Sequence, residues 1–192
     1  MKKLSTEQIR TLAERITDAD RSAFNELFRA LYPQLVYFAN RYTQSMAESR
    51  DIVQDVFVTL WKRREQVDPD LSLKSYLYKM TRNRALNHLR DYSSMTVPLE
   101  NLHESKLRST DASSSDDQLE KLNEQITHWI NELPDRQRVA FELSRFEGLD
   151  HQEIAGVMGV SPKTVNNHIV AALKNLRNRS TRTNQNGTKR FE

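Results

Sequence analysis

The sequence predicts an all-α protein of two small helical domains joined by a flexible linker. Three observations carry this. Apolar residues recur at spacings of three and four along most of the chain, the period of one helix face. Only 4 Gly and 5 Pro occur in 192 residues, and strand-like runs are few. Residues 93–117 lose the helical period and become rich in Ser, Thr and Asp, which marks a linker and a domain boundary. There is no Cys, so disulfides and thiolate metal sites are excluded. The start, MKKLSTEQIR, lacks the apolar core of a signal peptide. No run approaches the ~18 apolar residues of a membrane span. A cytoplasmic protein without membrane insertion is therefore expected.

Taken in order, residues 1–19 predict an N-terminal helix over 4–18. Ser5 and Gln8 form its capping box, and Ile9, Leu12, Ala13 and Ile16 its apolar face. Asp20 opens a second helix with Phe24, Leu27, Phe28 and Leu31. Pro33 then starts a new turn or kinks the helix before Leu35, Val36, Phe38 and Ala39. Ser45 and Glu48 cap a third helix, Met46 to about Glu65. It carries two adjacent apolar lines, Ile52, Val56, Leu60 and Val53, Phe57, Trp61, more than one core contact requires. Asp51, Gln54 and Asp55 are left on its remaining edge. That edge suits a solvated acidic margin and a partner-binding surface equally.

A loop follows at 66–71, where Pro69 interrupts any helix, and Ser72 caps a long basic helix to Tyr92. Leu73, Tyr76, Leu77, Met80 and Leu89 are assigned inward. Lys79, Arg82, Asn83, Asn87 and Arg90 are assigned outward, with Tyr78 beside them. Cations mixed with amides and an aromatic suit phosphate contact, base-edge contact and stacking. After the linker, Leu119, Leu122, Ile126, Trp129, Ile130 and Leu133 predict another helix, and Val139, Ala140, Leu143 and Phe146 a further one, ended by Gly148.

Residues 150–177 hold the most specific pattern. Asp150 and Glu153 make a capping box, and Ala155 is small where two helices would cross. Gly159 supplies a left-handed turn, Ser161 caps the next helix and Pro162 sits at its first position. Val165, Ile169, Ala172, Leu173 and Leu176 form the inner stripe. Lys163, Thr164, Asn166, Asn167, Val170, Lys174, Asn175 and Arg177 form the other face, which has no carboxylate. This is the pattern of a helix-turn-helix that places its second helix in a DNA major groove. A plain helical hairpin is the alternative, but a solvated face usually mixes acids with bases. Gly156 either permits close packing or weakens its helix by about 1 kcal/mol. From 180 to 192 the sequence predicts a disordered tail.

Charge supports two nucleic-acid contacts. Residues 62–90 hold 8 Lys and Arg against 3 Asp and Glu, a net of +5. Residues 161–192 hold 7 against 1, a net of +6, and the intervening 91–160 hold 6 against 14, a net of −8. An enzyme finds no support. His88, His103, His128, His151 and His168 are scattered, with no nucleophile or carboxylate partner at a suggestive sequence spacing, and no Gly-rich phosphate loop exists.

Three stretches, 47–65, 72–92 and 133–177, occur in an order that resembles RNA polymerase sigma factors of the sigma-70 family, in the small extracytoplasmic-function (ECF) type. The resemblance implies a sigma-2-like domain over 20–92 and a sigma-4-like domain over 118–179. It implies a non-catalytic subunit without a cofactor, bound to core RNA polymerase through the coiled coil of its largest subunit and through the second-largest subunit. Asp51, Gln54, Asp55, Phe57 and Trp61 would serve that contact. The loop at 66–72 and Tyr78, Lys79, Arg82, Asn83 and Asn87 would read the melted −10 promoter element. Lys163, Thr164, Asn166 and Asn167 would read −35 bases, with Lys174 and Arg177 on phosphate. An anti-sigma partner is implied as well. A stand-alone regulator with the same C-terminal module is the competing reading. The lack of an alternating βα pattern in the N-terminal half speaks against it.

Overall fold

A computed structural model of the chain describes residues 4–95 and 117–188, with the backbone alone at 92–95, 117–121 and 182–188. All regular structure among the described residues is helical. The chain divides into two compact units, Met1–Lys106 and Leu107–Glu192. Most of the expected linker, 96–116, lies outside the described residues. Its ends are helical, since α4 runs to Met95 and α5 begins at Asp117.

The first unit contains α1 (Thr6–Thr17), α2 (Arg21–Thr43), α3 (Met46–Lys62) and α4 (Leu73–Met95), with a 3-10 turn at Arg64–Gln66. The Ser5 hydroxyl accepts from Gln8 N, and the Gln8 side chain accepts from Ser5 N at 2.9 Å, closing the expected capping box. Ile9, Leu12, Ala13 and Ile16 are all buried, and α1 packs on α2. This helix belongs to the first unit's core and is no separate appendage. Asp20 caps α2 by accepting from Ser22 N and Ala23 N. Its carboxylate also accepts two hydrogen bonds from the Arg15 guanidinium, at 2.9 and 2.7 Å. That guanidinium, with the two cap amides, holds Asp20 below the usual carboxylate range.

α2 continues through Pro33. Proline costs a helix one N–H donor, but Leu27, Leu31, Leu35, Val36, Phe38 and Ala39 bury one continuous stripe around it. α3 packs against both α2 and α4, which explains its two apolar lines. Ile52, Val53, Val56, Phe57 and Leu60 are all buried. Phe57 meets the edges of Phe24 and Phe28, at ring distances of 6.0 and 4.8 Å.

The second unit contains α5 (Asp117–Asn131), α6 (Asp135–Arg145), α7 (His151–Met158) and α8 (Pro162–Thr188). Ile130, Leu133, Phe141 and Ala172 form one cluster of its core, with Leu176 against them, and Val139, Leu143, Ile154, Val157, Val165 and Ile169 are buried as well. α8 packs on α6 and α7. Three expectations are corrected. The helix does not give way to a tail at 180: α8 continues to Thr188, anchored near its middle by an ion pair between Arg179 and Glu132. Leu122 and Ile126, expected in the core, are 47% and 39% exposed, because little of α5 touches α8. Leu173 also lies at the margin of the α8 stripe, 36% exposed.

Candidate nucleic-acid and polymerase interfaces

The helix-turn-helix forms as its local sequence demands. Asp150 accepts from Glu153 N at 2.8 Å, and the Glu153 carboxylate accepts from Asp150 N at 2.7 Å. Gly159 takes φ +69°, and its N–H donates to the Ala155 carbonyl, so the chain turns without the cost of a Cβ. Ser161 accepts from Thr164 N at 3.2 Å and starts α8. Thr164 is engaged in this cap, its hydroxyl 2.9 Å from that of Ser161. Val165, Ile169 and Ala172 are buried, which turns Lys163, Asn166, Asn167, Val170, Lys174 and Arg177 outward on one face. Among the described residues, the side chains of Lys163, Asn166 and Asn167 have no internal hydrogen-bond or ion-pair partner. Amides held this way are free to make bidentate contacts with adenine, and lysine with guanine. Asn175 is not on that face in function: it donates to Gln137 Oε1 at 2.9 Å and ties α8 to α6.

On α4 the expected face is half right. Lys79, Asn83, Asn87 and Arg90 are exposed in one line, with Arg82 half-buried beside it. Tyr78 is corrected: it is 1% exposed, with its ring edge-on to Phe38 at 5.0 Å. Tyr76, assigned inward, is 40% exposed. The true inner line is Leu73, Leu77, Thr81 and Ala85, at a stride of four, and Tyr78 adjoins it. Thr81 is tolerated there because its hydroxyl donates to the Leu77 carbonyl at 2.8 Å.

On α3, Asp51, Gln54 and Asp55 are exposed along one edge. Phe57 is 2% exposed and is a core residue rather than a contact surface. Trp61 is half-buried between Phe24, at 5.1 Å, and the Arg64 guanidinium, 5.1 Å from its ring. Two polar links that the sequence did not reveal join α3 to α4. Arg84 donates to Thr59 Oγ1 at 2.6 Å and lies 3.5 Å from Asp55, and His88 meets Glu48 at 3.0 Å. No local spacing signals such pairs, since their partners lie 25 or more residues away. Among the described residues, no group of His, Asp and Glu is placed to hold a metal ion.

Two family profiles match the chain: Sigma-70 region 2 over residues 27–94 and Sigma-70 region 4 over 123–176, together more than half of its length. The chain belongs to the sigma-70 family. The sigma factor is 27% identical over 182 residues to the ECF RNA polymerase sigma-E factor of Escherichia coli K12, covering 91% of this chain and 94% of that one. It is 28% identical over 160 residues to the ECF RNA polymerase sigma factor RpoE of Cereibacter sphaeroides, covering 82% and 86%. The same fold occurs in the sigma factor RpoE solved with the anti-sigma factor NepR from Bartonella quintana. There the TM-score is 0.60 at 21% identity, over 81% of this chain and 94% of that one. The sigma factor is thus of the ECF type, a non-catalytic specificity subunit that binds core RNA polymerase and promoter DNA and directs transcription initiation. Among its described residues, no helix is long and apolar enough to cross a membrane.

Proposed function

We propose that three exposed faces divide the work of this sigma factor. The outer edge of α3, through Asp51, Gln54 and Asp55, with Trp61 at its rim, meets the largest subunit of core polymerase. The line Lys79, Asn83, Asn87, with Arg82, takes the unpaired −10 strand together with the loop at 66–72. The N-terminal end of α8, through Lys163, Asn166 and Asn167, reads the −35 duplex, with Lys174 and Arg177 on phosphate. Thr164 serves chiefly as cap. Tyr78 and Phe57 fall out of these sets because their side chains are buried.

The observation that carries the reading is the α8 face, where amides and cations stand exposed without a carboxylate among them. Such a face favours phosphate and base edges and has no acid to repel them. An anti-sigma partner belongs to the same reading, as does a cytoplasmic location, where promoter DNA and polymerase are found.

Gel filtration with purified core polymerase tests it. The wild-type chain co-elutes with core enzyme, and Asp51→Lys combined with Gln54→Ala weakens the complex by about tenfold, as loss of a central interface contact does. A wild-type chain that binds promoter duplex specifically but never core enzyme would favour the stand-alone regulator instead.

A further inference from the structure

The Sigma-70 region 2 profile begins at residue 27, so α1 lies ahead of it. Yet α1 is built into the first unit, and it touches α2, α4 and the 3-10 turn. Besides the Arg15–Asp20 pair at the start of α2, it has a charged link far along the chain. Arg10 Nη2 donates to Asp70 Oδ1 at 3.0 Å across 60 residues of chain. Arg10 is itself steadied by Glu14, at 3.5 Å one turn along the helix.

Asp70 sits in the loop that leads into α4. This loop is folded by its own hydrogen bonds: Asp68 Oδ1 accepts from Asp70 N at 2.9 Å, and the Asp68 carbonyl accepts from Leu71 N at 3.1 Å. The turn is therefore a preformed unit. It presents Leu71, 68% exposed, next to the start of the helix that carries Lys79, Asn83 and Asn87. Internal bonds fix the shape of such a turn but not where it stands. Among the described residues, the hydrogen-bonded tie from residues 68–71 to another element is Asp70 to Arg10.

We propose that Arg10 is a positioning residue for the −10-reading loop: through Asp70 it lets α1 set where the loop tip meets the unpaired strand. The proposal rests on the reading of this loop and α4 as the −10 surface. Both partners are exposed, at 50% and 79% of the side chain, so the pair adds little to folding. Its effect falls on geometry, where a small displacement changes how well one base is told from another.

The test is run-off transcription with core polymerase on a promoter recovered from genomic fragments. The readout is the ratio of transcript from the native −10 sequence to that from single-base variants of it. Arg10→Asp and Asp70→Arg each lower this ratio by about twofold to fivefold, the range open to an exposed ion pair. The double variant, with the charges exchanged, restores it, as does Arg10→Lys alone. The corresponding −35 ratio and the melting temperature stay near wild type. Should Arg10→Asp unfold α1, Arg10→Gln reads the same loss without reversing charge. An unchanged −10 ratio in the Arg10 variants, or a double variant no better than the singles, overturns the proposal. A wild-type protein indifferent to the −10 sequence overturns the reading beneath it and the proposal along with it.

Discussion

The two basic helices, α4 and α8, carry similar residues and use them differently. Among the described residues, the amides and cations near the N-terminus of α8 have no internal partners, and the polar ties of this helix, Asn175 to Gln137 and Arg179 to Glu132, lie beyond them. On α4 the polar groups are split. Arg84 and His88 are spent on Thr59, Asp55 and Glu48 of α3, while Lys79, Asn83 and Asn87 remain outward. A duplex groove accepts a protruding rod whose outer face is wholly free. A strand held open against a domain needs a surface braced from behind. The difference between the helices is thus one of support.

The largest expected effect bears on that support. Tyr78→Ala should cost the first unit about 3–5 kcal/mol, as loss of a buried aromatic does. Thermal or denaturant unfolding measures it. A loss below about 0.5 kcal/mol, the scale of a surface change, would return Tyr78 to the exposed face. Next in size is the α8 surface. Asn166→Ala with Asn167→Ala should reduce discrimination among −35 sequences by about 1–3 kcal/mol for each bidentate pair lost, without lowering stability. Lys174→Ala should weaken binding to all sequences alike and flatten its salt dependence. If Asn166 and Asn167 prove as indifferent to sequence as Lys174, the contrast between reading and anchoring residues on α8 collapses.

Two glycines in the helix-turn-helix sharpen the picture further. A Cβ on Gly159 would meet nothing, but its φ of +69° makes Gly159→Ala cost about 1–2 kcal/mol. A Cβ on Gly156 would also meet nothing, and its backbone is ordinary helix. Gly156→Ala should therefore stabilise the second unit by about 0.5–1 kcal/mol. Close packing is not what Gly156 provides. The smallest effect concerns acid. The folded Asp20 carboxylate lies below its ordinary value of 3.8, chiefly through Arg15. Its contribution is present above that value and is lost as pH falls through the lower, folded one. Asp20→Asn keeps a cap oxygen and should flatten the stability of the first unit below about pH 4.

The caps, the turn and most of the apolar stripe of the helix-turn-helix were legible because they are local signals that agree, whereas Leu173 at the stripe's margin and the Asn175 tie to Gln137 were not. The inner face of α4 was misread for the opposite reason. Its true line includes Thr81 and Ala85, a hydroxyl satisfied within its own helix and a methyl too small to announce burial. Tyr76 then reads as inward and Tyr78 as outward, the reverse of the structure, in which Tyr78 is the one that meets Phe38. The width of the apolar surface on α3 was visible, but its cause was not, since two packing neighbours cannot be told from a neighbour and a partner. Ion pairs between residues far apart, such as Arg10 with Asp70, leave no periodic trace at all. The end of α8 misled through composition: a polar sequence without apolar residues still continued a helix that had already been nucleated.

That continuous α8 has a mechanical consequence. At 1.5 Å per residue, 27 residues make a rod of about 40 Å without a break. Its reading end and its far end share one set of backbone hydrogen bonds and so move as a lever about the core between them. A load applied beyond Arg179 tilts Asn166 and Asn167 directly, with no refolding in between.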